Sequence, residues 1–136
     1  METDRFRNNK VRCAVIDTNV LMYIYLNKVD VISQLRDYGI CKFIITESVL
    51  SELEKLERNL KGREKIAARF ARRLIESVGF EIVETESRGD LSLIEAAERF
   101  GCAIITNDKM LKKRAKAKKI PLGYLKGDRK VVVEIL

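Results

Sequence analysis

With 136 residues, 46% hydrophobic and 35% charged, the chain can bury roughly two thirds of its unfolded surface and is too rich in Ile, Leu and Val for disorder. Twenty-seven Lys and Arg against 20 Asp and Glu give a formal charge of +7 and a pI near 9.4, which favours polyanionic partners. Histidine is absent, so Cys/His zinc sites, Ser-His-Asp triads and imidazole bases are excluded, and the chemistry narrows to carboxylates.

Residues 1–10 are polar and charged, unlike a signal peptide, and read as a tail ahead of a single domain over 11–136. No apolar run reaches the roughly 18 residues of a membrane span, so the expected location is the cytoplasm. Residues 11–16 form the first expected strand, followed by an apolar helix over 18–26. Asp30 caps a helix over 31–38, which Gly39 ends. A strand over 41–45 follows. Thr46 then caps a helix with Val49, Leu50, Leu53 and Leu56 at three- and four-residue spacing. After Gly62, a long basic helix carries Ile66, Ala67, Phe70, Leu74 and Ile75 on one stripe, and Gly79 closes it. Residues 80–83 are the third strand and 84–89 a polar loop. Asp90 caps a helix through Phe100, and 102–106 make a fourth strand. A short basic helix over about 107–118 comes next. Residues 121–125 and 131–135 supply one or two edge strands around the turn Lys126-Gly127-Asp128-Arg129. Strands alternating with crossover helices predict an α/β chain, a three-layer α/β/α sandwich on a mainly parallel sheet. Cys13, Cys41 and Cys102 occur singly, each in or beside an apolar run, and read as buried structural thiols.

Four acids attract attention. Asp17 and Asp108 follow strands, Asp90 opens a helix at the same carboxyl edge, and Glu52 lies about two turns inside another helix that starts there. Singly, each has an ordinary explanation: aspartate is a favoured N-cap, and a helical glutamate usually faces water. Together they would repel, since two unit charges 4 Å apart cost about 4 kcal/mol at an effective dielectric of 20. A divalent cation removes that penalty, and an oxygen-only set suits Mg²⁺ or Mn²⁺. Directly after Asp108, the basic run carries Lys109, Lys112, Lys113, Arg114, Lys116, Lys118 and Lys119 with no acid between them. Its first turns would flank the acids where a phosphate backbone needs anchoring. A second basic stretch, Lys61 to Arg73, reads as the exposed face of its helix. A P-loop is absent. Asn19 stands where aspartate-nucleophile phosphatases need a second acid, and the acidic pair of a phospho-receiver is missing.

In these residues the chain resembles the PIN domain, a metal-dependent nuclease fold. The four stretches are Ile16-Asp17-Thr18-Asn19-Val20-Leu21, Ser48-Val49-Leu50-Ser51-Glu52-Leu53, Asp90-Leu91-Ser92-Leu93-Ile94 with Ala97, and Thr106-Asn107-Asp108-Lys109. The resemblance covers about residues 11–125. It implies endonucleolytic RNA hydrolysis, with Asp17, Asp90, Asp108 and Glu52 holding one or two Mg²⁺ or Mn²⁺ ions or, for Glu52, orienting the attacking water. Asn19 would brace the first acid, Thr106 and Asn107 the fourth, and Lys109, Lys112, Lys113 and Arg114 would bind RNA. Products would carry 5′-phosphate and 3′-hydroxyl ends. Ile120-Pro121-Leu122-Gly123-Tyr124-Leu125 is similar to the ending of the PIN branch that processes small-subunit ribosomal RNA, which makes pre-rRNA or the small ribosomal subunit the expected partner. The toxin ribonucleases of toxin–antitoxin pairs share the same acids and are the alternative. A non-catalytic RNA-binding assembly factor is another. Processing-type members often carry two adjacent acids at the third stretch, whereas Leu91 follows Asp90 here, which leaves Asp90 alone there. The resemblance also admits a homodimer, to which the apolar helix over 20–26 is long enough to contribute.

Overall fold

The computed structural model describes residues 11–127 and 129–134; the expected tail over 1–10, Asp128 in the turn, and residues 135–136 lie outside them. In chain order the elements are β1 (Cys13–Ile16), α1 (Thr18–Leu26), α2 (Val31–Asp37), β2 (Lys42–Thr46), α3 (Glu47–Asn59), α4 (Gly62–Val78), β3 (Glu81–Val83), α5 (Asp90–Phe100), β4 (Ala103–Ile105), α6 (Lys109–Ala117), β5 (Leu122–Lys126) and β6 (Lys130–Glu134). The sheet order is β3-β2-β1-β4-β5-β6, parallel throughout except for the antiparallel β5–β6 pair. This is the expected three-layer α/β/α architecture.

Every residue of β1 and β4 is buried, as central strands covered by helices on both faces require. The chain steps outward from β1 to β2 and β3 through α1–α4, then returns to β4 and steps the other way to β5 through α5 and α6. Right-handed crossovers in opposite directions put the two helix sets on opposite faces. On one face α5 lies on β1, β2 and β4 and α6 on β5; on the other, α3 lies on β2 and β3 and α2 on β6, while α4 packs on α1 and α3. Strand order therefore reverses between β1 and β4. That switch point is where an open α/β sheet leaves a crevice for ligands. No described helix is long and apolar enough to cross a membrane.

The cysteine expectation is corrected in part. Cys13 and Cys102 form a disulfide with Cα atoms 4.8 Å apart, and Cys41 is exposed, outside β2. Ala14 pairs with Ala103 in the parallel register of β1 and β4, so the preceding cysteines stand side by side at the next rung. The expectation of one or two edge strands over 121–125 and 131–135 is also corrected in part. Both strands form, and β5 is internal, because β4 pairs with it on one side and β6 on the other. Gly123 in β5 permits this close approach, since a Cβ there would meet Ile105 Cδ1 at 2.7 Å.

Candidate functional site

The carboxyl ends of β1 and β4 build one half of the site. Asp17 continues the ladder beside β4, its amide donating to the Ile105 carbonyl at 2.9 Å. The side chain is almost buried, at 8% exposure. Its Oδ1 accepts from the Thr18 amide at 2.8 Å and its Oδ2 from the Thr106 hydroxyl at 2.6 Å. Thr106 is fully buried, and its Oγ1 accepts in turn from the Asp108 amide at 3.0 Å. One hydroxyl thus links the two strand-end acids and fixes where each begins. Asp108 caps α6, its Oδ1 accepting from Leu111 N at 2.8 Å, with no partner at Oδ2 among the described residues. Asn107 grips β5 rather than an acid: its Oδ1 accepts from Leu125 N at 2.7 Å and its Nδ2 donates to Leu125 O at 3.4 Å.

The starts of α3 and α5 build the other half. Thr46 caps α3 by accepting from Val49 N at 3.3 Å, and its hydroxyl lies 2.9 Å from that of Ser92. Because the Ser92 hydroxyl donates to the Gly89 carbonyl at 2.7 Å, Thr46 is the donor between the two hydroxyls. Ser48 Oγ accepts from Gly89 N at 2.8 Å. These contacts bind the helix carrying Glu52 to the helix carrying Asp90. Gly89 occupies the N-cap position of α5 at φ 59°, a conformation that favours glycine. Asp90 is therefore the first helical residue and not the cap that the sequence suggests, and α5 has no side-chain cap. Its carboxylate is exposed and makes no hydrogen bond among the described residues; Glu52 is likewise exposed. Ser48, Gly89 and Ser92 were not legible as site supports, because their partners lie more than forty residues away for Ser48–Gly89 and Thr46–Ser92.

Electrostatics joins the halves. Burial pushes the Asp17 carboxyl above its ordinary value of 3.8, hydrogen bonds from Thr106 and Thr18 pull it back, and the charges of Asp90 and Glu52 raise it. Those three acids share one field. Among the described residues, however, no three Asp, Glu or Cys side chains converge tightly enough to form a finished ion cage. The donor set still fits a hard divalent ion: all oxygen, one carboxyl buried, and two exposed carboxylates on adjoining helices that raise its proton affinity. Asn19 is exposed and has no hydrogen bond to Asp17; Thr18 N and Thr106 do the bracing expected of it. Glu95 is occupied elsewhere, accepting from the amides of Glu86 and Ser87, both at 2.9 Å.

The basic helix divides by partner. Half-buried Lys112 places its Nζ 4.3 Å from the centre of the Tyr124 ring, Lys116 approaches Glu134 at 3.8 Å and Lys118 approaches Glu98 at 3.8 Å. Lys109, Lys113 and Arg114 are exposed and have no ion pair among the described residues. In α4, by contrast, Arg69 and Arg72 both bind Glu57, at 3.0 and 2.8 Å, and hold its carboxyl down at about 2. Arg63 donates to the Leu26 carbonyl at the end of α1, at 3.0 Å.

An α/β sheet with strand-end acids at its switch point defines a metal- or phosphate-handling class of protein. The family model for a PIN like domain matches residues 14–128, and the chain belongs to that family. It is similar to Ribonuclease VapC9 of Archaeoglobus fulgidus, with 66% identity over 136 residues, covering 100% of this chain and 99% of the relative. It is also similar to Ribonuclease VapC4 of Methanocaldococcus jannaschii, with 32% identity over 114 residues, covering 79% and 86%. Among solved structures, the PIN domain endonuclease Utp24 superposes with a TM-score of 0.70 at 27% identity, covering 91% of this chain and 92% of that one. The fold also matches a chain of VapBC2 from Rickettsia felis, solved bound to a promoter DNA fragment, with a TM-score of 0.58 at 18% identity and coverage of 84% and 99%.

Proposed function

We propose that this protein is a toxin-type PIN ribonuclease, a divalent-metal-dependent endonuclease acting on RNA and paired with a small antitoxin protein. The observation that carries the activity is the buried Asp17 carboxylate, held by Thr106 at the switch point inside the field of Asp90 and Glu52. The 66% identity to a protein named VapC9 supports the toxin role over ribosomal RNA processing, the role suggested by residues 120–125.

Asp17, Asp90 and Asp108 would hold one or two Mg²⁺ or Mn²⁺ ions, with Glu52 as a further ligand or as the group orienting the attacking water. When bound, such an ion lowers the pKa of its water and neutralises charge on the phosphate. Thr106 keeps Asp17 in place and holds the Asp108 amide, so that both acids enter from fixed backbone. Lys109, Lys113 and Arg114 anchor the RNA backbone, while Lys112 supports α6 through Tyr124. The likeness to Utp24 and the ending over 120–125 favour rRNA processing as a second reading. A homodimer through α1 and α4 is part of the proposal, since Ile66 and Phe70 are exposed there beside Tyr25.

Purified protein should cleave single-stranded RNA in Mn²⁺ and leave 5′-phosphate ends, and Asp17→Asn should lower the rate by about 10³-fold or more, as expected when a metal ligand is lost. Equal cleavage by both would mean a contaminant or another site. Growth arrest on expression, relieved by a small protein encoded alongside, separates the toxin role from processing.

A further inference from the structure

We infer that the corner between the end of α1 and the β5–β6 hairpin is a second anchoring site for the phosphate backbone of single-stranded RNA, separate from α6. The inference rests on the ribonuclease reading for its ligand class and on independent geometry for its place. A cavity of about 430 Å³ opens there, lined by Leu26, Asn27, Lys28, Gly127 and Arg129. Lys28 and Arg129 are exposed, and neither side chain has an ion pair or hydrogen bond among the described residues. Arg63 adds a third cation, its guanidinium on the Leu26 carbonyl at 3.0 Å. From Lys126 to Lys130 the sequence carries three cations against the single acid Asp128.

The corner belongs to the same rim as the acids. β5 runs parallel to β4, so Lys126 leaves the sheet on the edge where Asp17 and Asp108 stand. Asn107, the residue before Asp108, fixes the root of the hairpin by accepting from Leu125 N at 2.7 Å. Gln34 of α2 clamps the other strand, donating to the Arg129 carbonyl at 3.2 Å and accepting from Val131 N at 2.8 Å. Lys28 itself sits at φ 52°, a left-handed position that glycine or asparagine occupies more readily. The walls are thus set by hydrogen bonds, while Lys28 and Arg129 on them have no counter-charge among the described residues. Some cations elsewhere are matched, since Arg69 and Arg72 share Glu57 and Lys42 pairs with Glu81 at 3.2 Å. Lys109, Lys113 and Arg114 of α6 share with this corner the lack of an ion pair among the described residues. A strand of phosphates would supply negative charge to Lys28 and Arg129, and it would run from the acid rim over the hairpin.

The test is equilibrium binding of a fluorescent single-stranded RNA oligonucleotide in EDTA, across a salt series. Lys28→Asn with Arg129→Gln should flatten the slope of log affinity against log salt by about 1.4, two contacts at about 0.7 each for single strands. Each single variant should give about half of that, which guards against misfolding of the double variant. Lys42→Gln, at the opposite edge of the sheet, should leave the slope as in the wild type. An unchanged slope in the double variant, or an equal flattening in Lys42→Gln, would overturn the site. If the wild type never cleaves RNA in Mn²⁺ but the slope change appears, the ribonuclease reading fails and the RNA site stands. Cleavage with an unchanged slope has the reverse meaning.

Discussion

The two halves of the acidic rim are built in different ways. Asp17 and Asp108 leave the sheet on strand ends, tied to each other through one buried threonine, and the carboxylate of each accepts from a backbone amide at 2.8 Å. Glu52 and Asp90 stand on helices whose starts are stapled together by Thr46, Ser48, Gly89 and Ser92, yet their own carboxylates are exposed. The first half is fixed by hydrogen bonds that the fold needs anyway. The second contributes charge and reach and adds nothing to the core. A cation entering this rim would meet one preset ligand wall and one that can rotate to meet it.

Four perturbations break or sharpen that contrast. The largest acts on the fixed half from its far end, where the Cys13–Cys102 disulfide joins the same two strands across 89 residues of sequence. Cys13→Ala with Cys102→Ala should lower unfolding free energy by about 4–5 kcal/mol on the loop-closure account, measured by denaturant titration. A loss under about 1 kcal/mol would show that β1 and β4 need no covalent tie. Next, Thr106→Val strips a hydrogen bond from a buried carboxylate and one from the Asp108 amide, with an expected cost of about 2–3 kcal/mol that Thr106→Ser recovers.

The third perturbation is pH. Burial raises the folded-state pKa of Asp17 above 3.8, so its contribution to stability is full below that value and is lost as pH rises through the folded value. Asp17→Asn should therefore be more stable than wild type at pH 7 in EDTA, by a margin that shrinks as pH falls toward about 4; a variant less stable at pH 7 would reverse the sign. Adding Mn²⁺ should raise the wild-type melting temperature and leave the variant nearly unmoved. Last, Glu52→Gln and Asp90→Asn should each change stability by no more than about 0.5 kcal/mol, as exposed positions do, while each lowers cleavage. If either costs as much as Thr106→Val, the two halves are not different in kind.

Much of this could be read along the chain, because the informative signals were local. The apolar runs ending at Asp17 and Asp108, the helix caps at Asp30 and Thr46, and the glycine stop at Gly79 all involve neighbours within a few residues. The errors came where local rules compete. Aspartate favours the N-cap, but at the start of α5 Gly89 takes that position and frees Asp90. Asn19 is close to Asp17 in sequence, but helix geometry leaves it exposed, and the brace comes from Thr106, 89 residues away.

From its residues alone, the protein's α/β class, the four acids and the density of positive charge were determined, because hydrophobic period and side-chain chemistry are properties of short segments. Only tertiary structure decided that β4 lies beside β1. That adjacency pairs Cys13 with Cys102 and sets Thr106 against Asp17. Glu134 of β6 and Glu98 of α5 in turn match Lys116 and Lys118, and Lys109, Lys113 and Arg114 have no ion pair among the described residues. Strand order is a choice among long-range pairings whose energies differ through packing and crossover handedness, and no short stretch of sequence encodes them.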